Sequence, residues 1–308
     1  MLVDAHIEHA AKIIGGARSH GPAADIRAFF DEPTNTVSYV AWDPHTGRAA
    51  IIDSVLQFDP ASGRTDKAPA DAIIAYVREH DLTIDWLLET HVHADHLSAA
   101  PYLQGIVGGK LAIGRAITIV QDVCGKMFNA GSEFARDGSD FDMLFDDGDT
   151  FAIGEVACTV LHVPGHTPAD VAFVIGDAAF VGDTLFMPDY GTARADFPGG
   201  DARELFRSIR RLLTLPDETR LFLCHDYKAP GREEYVWETT VGAQRTGNVQ
   251  VHDGIDEEAF VAMRSARDAT LAAPRLMLPS IQVNMRAGRL PEPEANGTRY
   301  LRIPLDSF

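Results

Sequence analysis

Cysteine is scarce in this chain. Its 308 residues include three, Cys124, Cys158 and Cys224, an odd number with no CxxC spacing. That argues against a disulfide framework and fits a reducing compartment. Basic residues are also few: Lys plus Arg number 27 against 45 Asp plus Glu, for a formal net charge of −18. A nucleic-acid binder needs a basic face to neutralise phosphates, and attachment to anionic lipid needs a polybasic segment. The composition therefore speaks against nucleic acid and against membrane as partners. No run approaches the roughly 20 apolar residues of a membrane span. The opening MLVDAHIEHAAK carries early acids and no apolar core, so no secretory signal is expected and the chain reads as cytoplasmic. A small anionic substrate is still compatible, because a local group of arginines can sit on an acidic protein.

What is present is an ordinary globular composition, 45% hydrophobic and 23% charged. TVSYVAW (36–42), the turn-like DPHTG and AAIIDSV predict a β-hairpin. DAIIAYVRE (71–79) has helical spacing behind an Asp cap. DWLLE (85–89) reads as a short buried strand, with a helix expected over 95–103. Short strands recur after Phe151, and DARELFRSIRRLL (201–213) has acids early and arginines late, as a helix dipole favours. The strands fall into two groups, each followed by helices, which predicts an α+β sandwich rather than regular βαβ alternation. Residues 1–250 read as one domain. Residues 251–308, a helix-like stretch followed by Pro-rich sequence, read as a C-terminal extension packed on it.

The strongest feature is Thr90-His91-Val92-His93-Ala94-Asp95-His96, at the end of a predicted strand. Imidazole and carboxylate are the usual ligands of zinc, iron or manganese. Strand alternation predicts that His91 and His93 point the same way. Further polar groups follow apolar strands: His162 and His166 around Gly165, then Gly182-Asp183-Thr184, then His225-Asp226-Tyr227. Loops past strand ends commonly carry sites. His162 on its own reads as a strand-edge residue. His6, His9, His20, His45, His80 and His252 lack such company and are assigned no role. Cys224, at the end of LFLC, reads as a buried strand residue rather than a catalytic thiol.

The order HxHxDH, GHT, GD and a late His resembles the metallo-β-lactamase superfamily, with the match running from about Phe29 to Gln244. THVHADH, PGHTPAD, GDTLFMPDYGTARADFPGG, CHDY and LPSIQVNMRAG are similar to one branch, the persulfide dioxygenases. The resemblance implies an αββα sandwich of metallo-β-lactamase type. It also implies an oxidoreductase of sulfur metabolism and hydrogen sulfide detoxification. Such an enzyme is a dioxygenase that oxidises glutathione persulfide with O2 to sulfite and glutathione at a mononuclear non-haem Fe(II), one per chain. The implied iron ligands are His91, His166 and Asp183. His93, Asp95, His96 and His225 match the remaining positions of two-metal relatives, and in this branch they stay beside the site without binding metal. Nothing resembles the CxxxxR loop of a rhodanese, so a stand-alone dioxygenase is expected, and the resemblance is compatible with a homodimer.

Spacing alone does not separate one Fe(II) from two Zn(II), because every ligand of a dinuclear site is present. A zinc hydrolase of the same fold, a glyoxalase II-like thioesterase or a lactonase, therefore stays open, as does a non-catalytic metal or persulfide sensor. Glutathione persulfide is anionic, and guanidinium pairs with carboxylate bidentately. Arg194, Asp196, Tyr227, Lys228 and Arg286 are the candidate substrate contacts.

Overall fold

The computed structural model describes residues 4–19 and 24–306. One six-stranded sheet runs, in spatial order, β1 (Asp25–Asp31), β2 (Thr36–Trp42), β3 (Arg48–Ile52), β6 (Thr83–Leu88), β8 (Lys110–Gly114) and β9 (Met143–Phe145). A small sheet of β5 (Arg64–Asp66), β4 (Val55–Asp59) and β7 (Leu97–Ser98) lies beside it in sequence. The second six-stranded sheet holds β10 (Thr150–Ile153), β11 (Val156–His162), β12 (Val171–Ile175), β13 (Ala178–Phe180), β14 (Arg220–Phe222) and β15 (Glu238–Thr240). The helices are α1 (Ala5–Ser19), α2 (Ala68–Glu79), α3 (Ala100–Val107), α4 (Ile117–Met127), α5 (Ala202–Leu212), α6 (Val241–Gly247), α7 (Glu257–Asp268) and α8 (Met277–Asn284).

The layering follows from how strand residues alternate. In β12, Val171, Phe173 and Ile175 point into the layer between the two large sheets, against Tyr39, Phe145, Phe180 and Phe222. Ala172 and Val174 point the other way, into a core with Ile14 of α1, Leu205 of α5 and Phe260 of α7. In β2, Tyr39 faces inward while Val40 faces a third core with Ile73 of α2, Leu103 of α3, Val120 of α4 and Val283 of α8. Both faces of the two large sheets are covered at their centres, so a central strand such as β12 is apolar along its whole length. The result is the αββα sandwich, and it accounts for the expected fold class. Tyr39 ties the layers directly, its hydroxyl donating to the Leu223 carbonyl at 2.5 Å.

The predicted hairpin is β2 paired antiparallel with β3. Asp201 caps α5, accepting from the amides of Arg203 and Glu204. Three local expectations differ. The second helix starts at Ala68 behind Lys67, with Pro69 in its first turn, so Asp71 lies inside the first turn rather than at the cap. The helix expected from Asp95 starts only at Ala100, because Leu97–Ser98 first pairs with β4. Beyond β3, the first sheet also continues in parallel, β3–β6–β8–β9, through crossovers that carry α2, α3 and α4. Regular βαβ alternation is thus present in that half.

Candidate metal centre

Four strand ends deliver the site. The loop after β6 carries His91, His93, Asp95 and His96; the loop after β11 carries His166; β13 leads to Asp183; and β14 leads to His225. Two glycines make the close approach possible. Gly182 has φ +52, and a Cβ there would stand 2.6 Å from Thr90 Oγ1. Gly165 has φ +140, and a Cβ there would stand 2.3 Å from the Leu205 backbone. Both conformations favour glycine, which carries no Cβ.

His91, His166 and Asp183 converge, each buried. His91 Nε2 lies 3.9 Å and His166 Nε2 3.6 Å from Asp183 Oδ2. These separations are too long for hydrogen bonds. His91 Nε2 and Asp183 Oδ1 are buried with no hydrogen-bond partner. Such atoms are costly unless something else engages them. The opposite edges of the rings are tethered. His91 Nδ1 is 2.9 Å from Thr90 Oγ1, and His166 Nδ1 is 2.8 Å from the Arg194 carbonyl. Fixing Nδ1 in this way leaves the Nε2 lone pair aimed at the common point, the arrangement in which histidine binds metal. Burial, together with the neighbouring His93 and His166, holds the His91 imidazole well below its usual pKa, which favours the neutral ligand form.

His93 is held through its Nε2. Its Nε2 sits 3.1 Å from Asp53 Oδ1 and 3.2 Å from Glu89 Oε2, all three side chains being buried. Burial alone would lower this imidazole, but Asp53 raises it well above its usual range. The His91 and His93 rings lie side by side, with centroids 4.1 Å apart, and the Nδ1 of His93 is buried without a partner and within ligand reach of Asp95 and His96. Asp53 also accepts from the Thr90 amide at 2.8 Å and the Thr90 hydroxyl at 2.9 Å. One carboxylate therefore supports His93 directly and His91 through Thr90.

His225 stands between two carboxylates, its Nε2 being 3.3 Å from Asp95 Oδ2 and 3.3 Å from Asp183 Oδ1. Burial would lower its pKa, but Asp183 and Asp95 raise it well above the usual value. Its Nδ1 is 3.1 Å from the Asn35 carbonyl. His96 Nδ1 is 3.3 Å from Asp95 Oδ2, and its buried Nε2 has no partner. Cys224 is buried with Asp183 and His225 close by.

A cleft of about 320 Å³ opens onto Asp95, His166 and Asp183. Tyr227 lines it, stacked on the His225 ring with centroids 5.5 Å apart. Arg194 lines it too, but its guanidinium is bound bidentately by Asp196, at 2.5 and 2.7 Å, and donates to the Ala272 carbonyl at 2.7 Å. Asp196 thus acts as the holder of Arg194. Lys228 and Arg286 are not in the lining: Lys228 Nζ sits 4.0 Å over the Tyr235 ring, and the Arg286 guanidinium 4.3 Å over Phe134. His162 donates or accepts only locally, its Nε2 lying 2.9 Å from the Pro168 carbonyl.

Sequence reasoning missed the C-terminal contribution to this cleft. Arg264, Arg267, Leu271, Arg275 and Leu276 all line it. Arg264 is buried and paired with Asp268 at 2.6 Å, and Asp268 in turn accepts from the Ala195 amide at 2.9 Å. Helix α7 therefore braces the loop that carries Arg194. Arg267 and Arg275 are exposed and have no ion pair among the described residues. The available signal was the Arg-rich run RSARDATLAAPR (264–275) on an otherwise acidic chain.

The chain is similar to known proteins. The family model described as the metallo-β-lactamase superfamily matches residues 31–225. A probable metallo-hydrolase of Burkholderia pseudomallei is 59% identical over 293 residues, covering 92% of this chain and 99% of the relative. Persulfide dioxygenase ETHE1 of Homo sapiens is 28% identical over 266 residues, covering 85% of this chain and 88% of the relative. The crystal structure of ETHE1 from Myxococcus xanthus superposes with a TM-score of 0.68 at 29% identity, covering 86% of this chain and 100% of that one. None of the helices in the described residues is long and apolar enough to cross a membrane. With its ligand-bearing loops at one end of a two-sheet sandwich and a matching family model across most of that sandwich, the chain belongs to the metallo-β-lactamase superfamily.

Proposed function

We propose that this protein oxidises glutathione persulfide with O2 at one Fe(II) held by His91, His166 and Asp183. The balanced reaction takes persulfide, O2 and water to glutathione, hydrogen sulfite and a proton. The observation that carries the reading is the convergence of His91, His166 and Asp183, two histidines and one carboxylate buried around a common point. That set suits non-haem Fe(II), with further positions open for substrate and O2. The likeness to the persulfide dioxygenases supports the same reading.

Iron bound there supplies the O2 chemistry that no side chain performs. The chain's own residues do the rest. Thr90 and the Arg194 carbonyl orient the two imidazoles. Tyr227, Phe186 and Phe197 wall the cleft with rings that shield the reacting sulfur from bulk water. Arg267 and Arg275 take the two carboxylates of the glutathionyl group, and the Arg194–Asp196 pair keeps the loop under His166 in register. A local basic mouth then draws an anionic substrate to a chain of net charge −18.

A second reading is a dinuclear zinc hydrolase, in which a metal-bound water is the nucleophile. Asp95, Asp183 and His225 lie close enough to share a second ion, and the Burkholderia relative's name favours this class. Elemental analysis of purified protein alongside oxygen uptake with glutathione persulfide separates the two. One iron per chain with uptake supports the dioxygenase. Two zincs with thioester cleavage and no uptake establish the hydrolase instead.

A further inference from the structure

Asn284, the last residue of α8, reaches across the molecule to the metal-binding loop. Its side-chain NH2 donates to the His93 carbonyl at 2.8 Å and to the His96 carbonyl at 2.8 Å. Its Oδ1 accepts from the Ser98 amide at 2.8 Å. The orientation of the amide is unambiguous, since only NH2 can face two carbonyls and only the oxygen can face an N–H. Both donor hydrogens are used. Neither His93 nor His96 belongs to a helix or strand, so no regular ladder satisfies those carbonyls. The contact is buried, where an unpaired carbonyl is costly.

The rest of the segment is seated to match. Gln121 of α4 donates to the Met285 carbonyl at 3.0 Å. Gly288, at φ +76, presses its backbone onto the same loop, and a Cβ there would lie 2.9 Å from the Ser98 carbonyl and 2.7 Å from Pro101. The stretch from Asn284 to Gly288 thus closes over residues 93–98 at several points.

We infer that Asn284 is a positioning residue for the metal centre: it fixes the backbone between His93 and His96, and with it the placement of His91 and of the neighbouring Asp95 and His96 in the site. The inference holds for either metal and does not rest on the proposed reaction. It makes α8 part of the site although no α8 side chain lines the cleft.

The test is Co(II) titration of metal-free full-length protein, read by the visible absorption of the bound ion, with thermal unfolding in parallel. Asn284→Ala is expected to weaken Co(II) binding about 10- to 100-fold, as loss of an outer support commonly does, and to shift the absorption bands. Wild-type affinity and an unchanged spectrum would overturn the inference, whatever happens to Tm, since a merely structural role moves Tm alone. If Asn284→Ala does not accumulate as folded protein, Gly288→Ala decides by the same two readouts. It keeps the amide but displaces the segment from Ser98 and Pro101. Weakened binding with shifted bands supports the inference, and an unaltered titration and spectrum overturns it.

Discussion

His93 Nε2 lies 3.1 Å from Asp53 Oδ1, so a histidine from the metal-binding motif is engaged by a carboxylate from outside it. Asp53 occupies the bend after β3 at φ +51, and its carboxylate accepts from Thr90 as well. Removing it would leave the buried His93 imidazole with Glu89 alone and the buried Thr90 amide without its acceptor. Asp53→Ala is therefore expected to cost about 3–5 kcal/mol, the range for breaking a buried ion pair on one side. Chemical denaturation of protein with and without metal checks this. A loss under 1 kcal/mol in both forms would show that the contact is dispensable.

The single-iron reading gives the histidines of the motif different functions. His91→Ala, His166→Ala and Asp183→Ala are each expected to abolish stoichiometric metal binding and oxygen uptake. In the single-iron reading His93→Gln should lower stability, through loss of the Nε2 contacts to Asp53 and Glu89, yet leave most of the bound iron; in the two-metal reading its buried, unpartnered Nδ1 is a ligand and the same substitution empties a site. Iron content per folded chain is the measurement. If His93→Gln empties the centre as completely as His91→Ala does, the single-iron reading fails and a two-metal arrangement takes its place.

The cleft lining divides the basic residues in a way that kinetics can read. Arg275→Ala and Arg267→Ala are expected to raise KM for glutathione persulfide, by about tenfold for the pair, which corresponds to about 1.4 kcal/mol. Iron content should not change. Lys228→Ala should leave KM alone, since its ammonium sits over Tyr235 outside the lining. Arg194→Ala should raise KM by loosening the loop around His166, and Asp196→Ala should reproduce the effect if the pair acts as one unit. An unchanged KM in the Arg267/Arg275 double variant would remove both from the substrate site.

The metal loops were legible in the sequence because each is a short local pattern. HVHADH, PGHT, GDT and CHDY each end or follow an apolar run, and the order of those runs is the order of the strands. What was not legible depends on contacts across the chain. Asp53 meets His93 40 positions away, and Asn284 meets His93 191 positions away. Neither residue type stands out locally: an Asp after AAII resembles any turn, and an Asn near a helix end resembles any cap. Helices α1 and α8 were also missed. Each buries an apolar stripe against a sheet, and no single turn signal announces either one.

Acid stability offers a test away from the metal. Arg211 of α5 is half-buried and binds Asp4 at 2.6 Å and Asp147 at 2.9 Å, joining the start of α1 to the turn before β10. It also donates to the His162 carbonyl at 2.8 Å, at the end of β11. The Arg211 guanidinium holds the Asp4 carboxyl below its usual pKa of 3.8. Partial burial would raise Asp147, but Arg211 and the His162 amide outweigh it and lower that group as well. A carboxylate with a depressed folded-state pKa contributes stability that is full above its unfolded value and is lost as pH falls through the folded one. The network should therefore stabilise the protein fully above about pH 5, where an unfolded Asp of pKa ≈ 3.9 is ionised, and lose its effect as the pH drops below 4. Arg211→Gln is expected to cost about 1–2 kcal/mol at pH 7, a figure reduced for the partial exposure of all three side chains. It should also flatten the dependence of Tm on pH between 5 and 3. A variant that keeps the wild-type slope over that interval would show that other carboxylates govern acid unfolding.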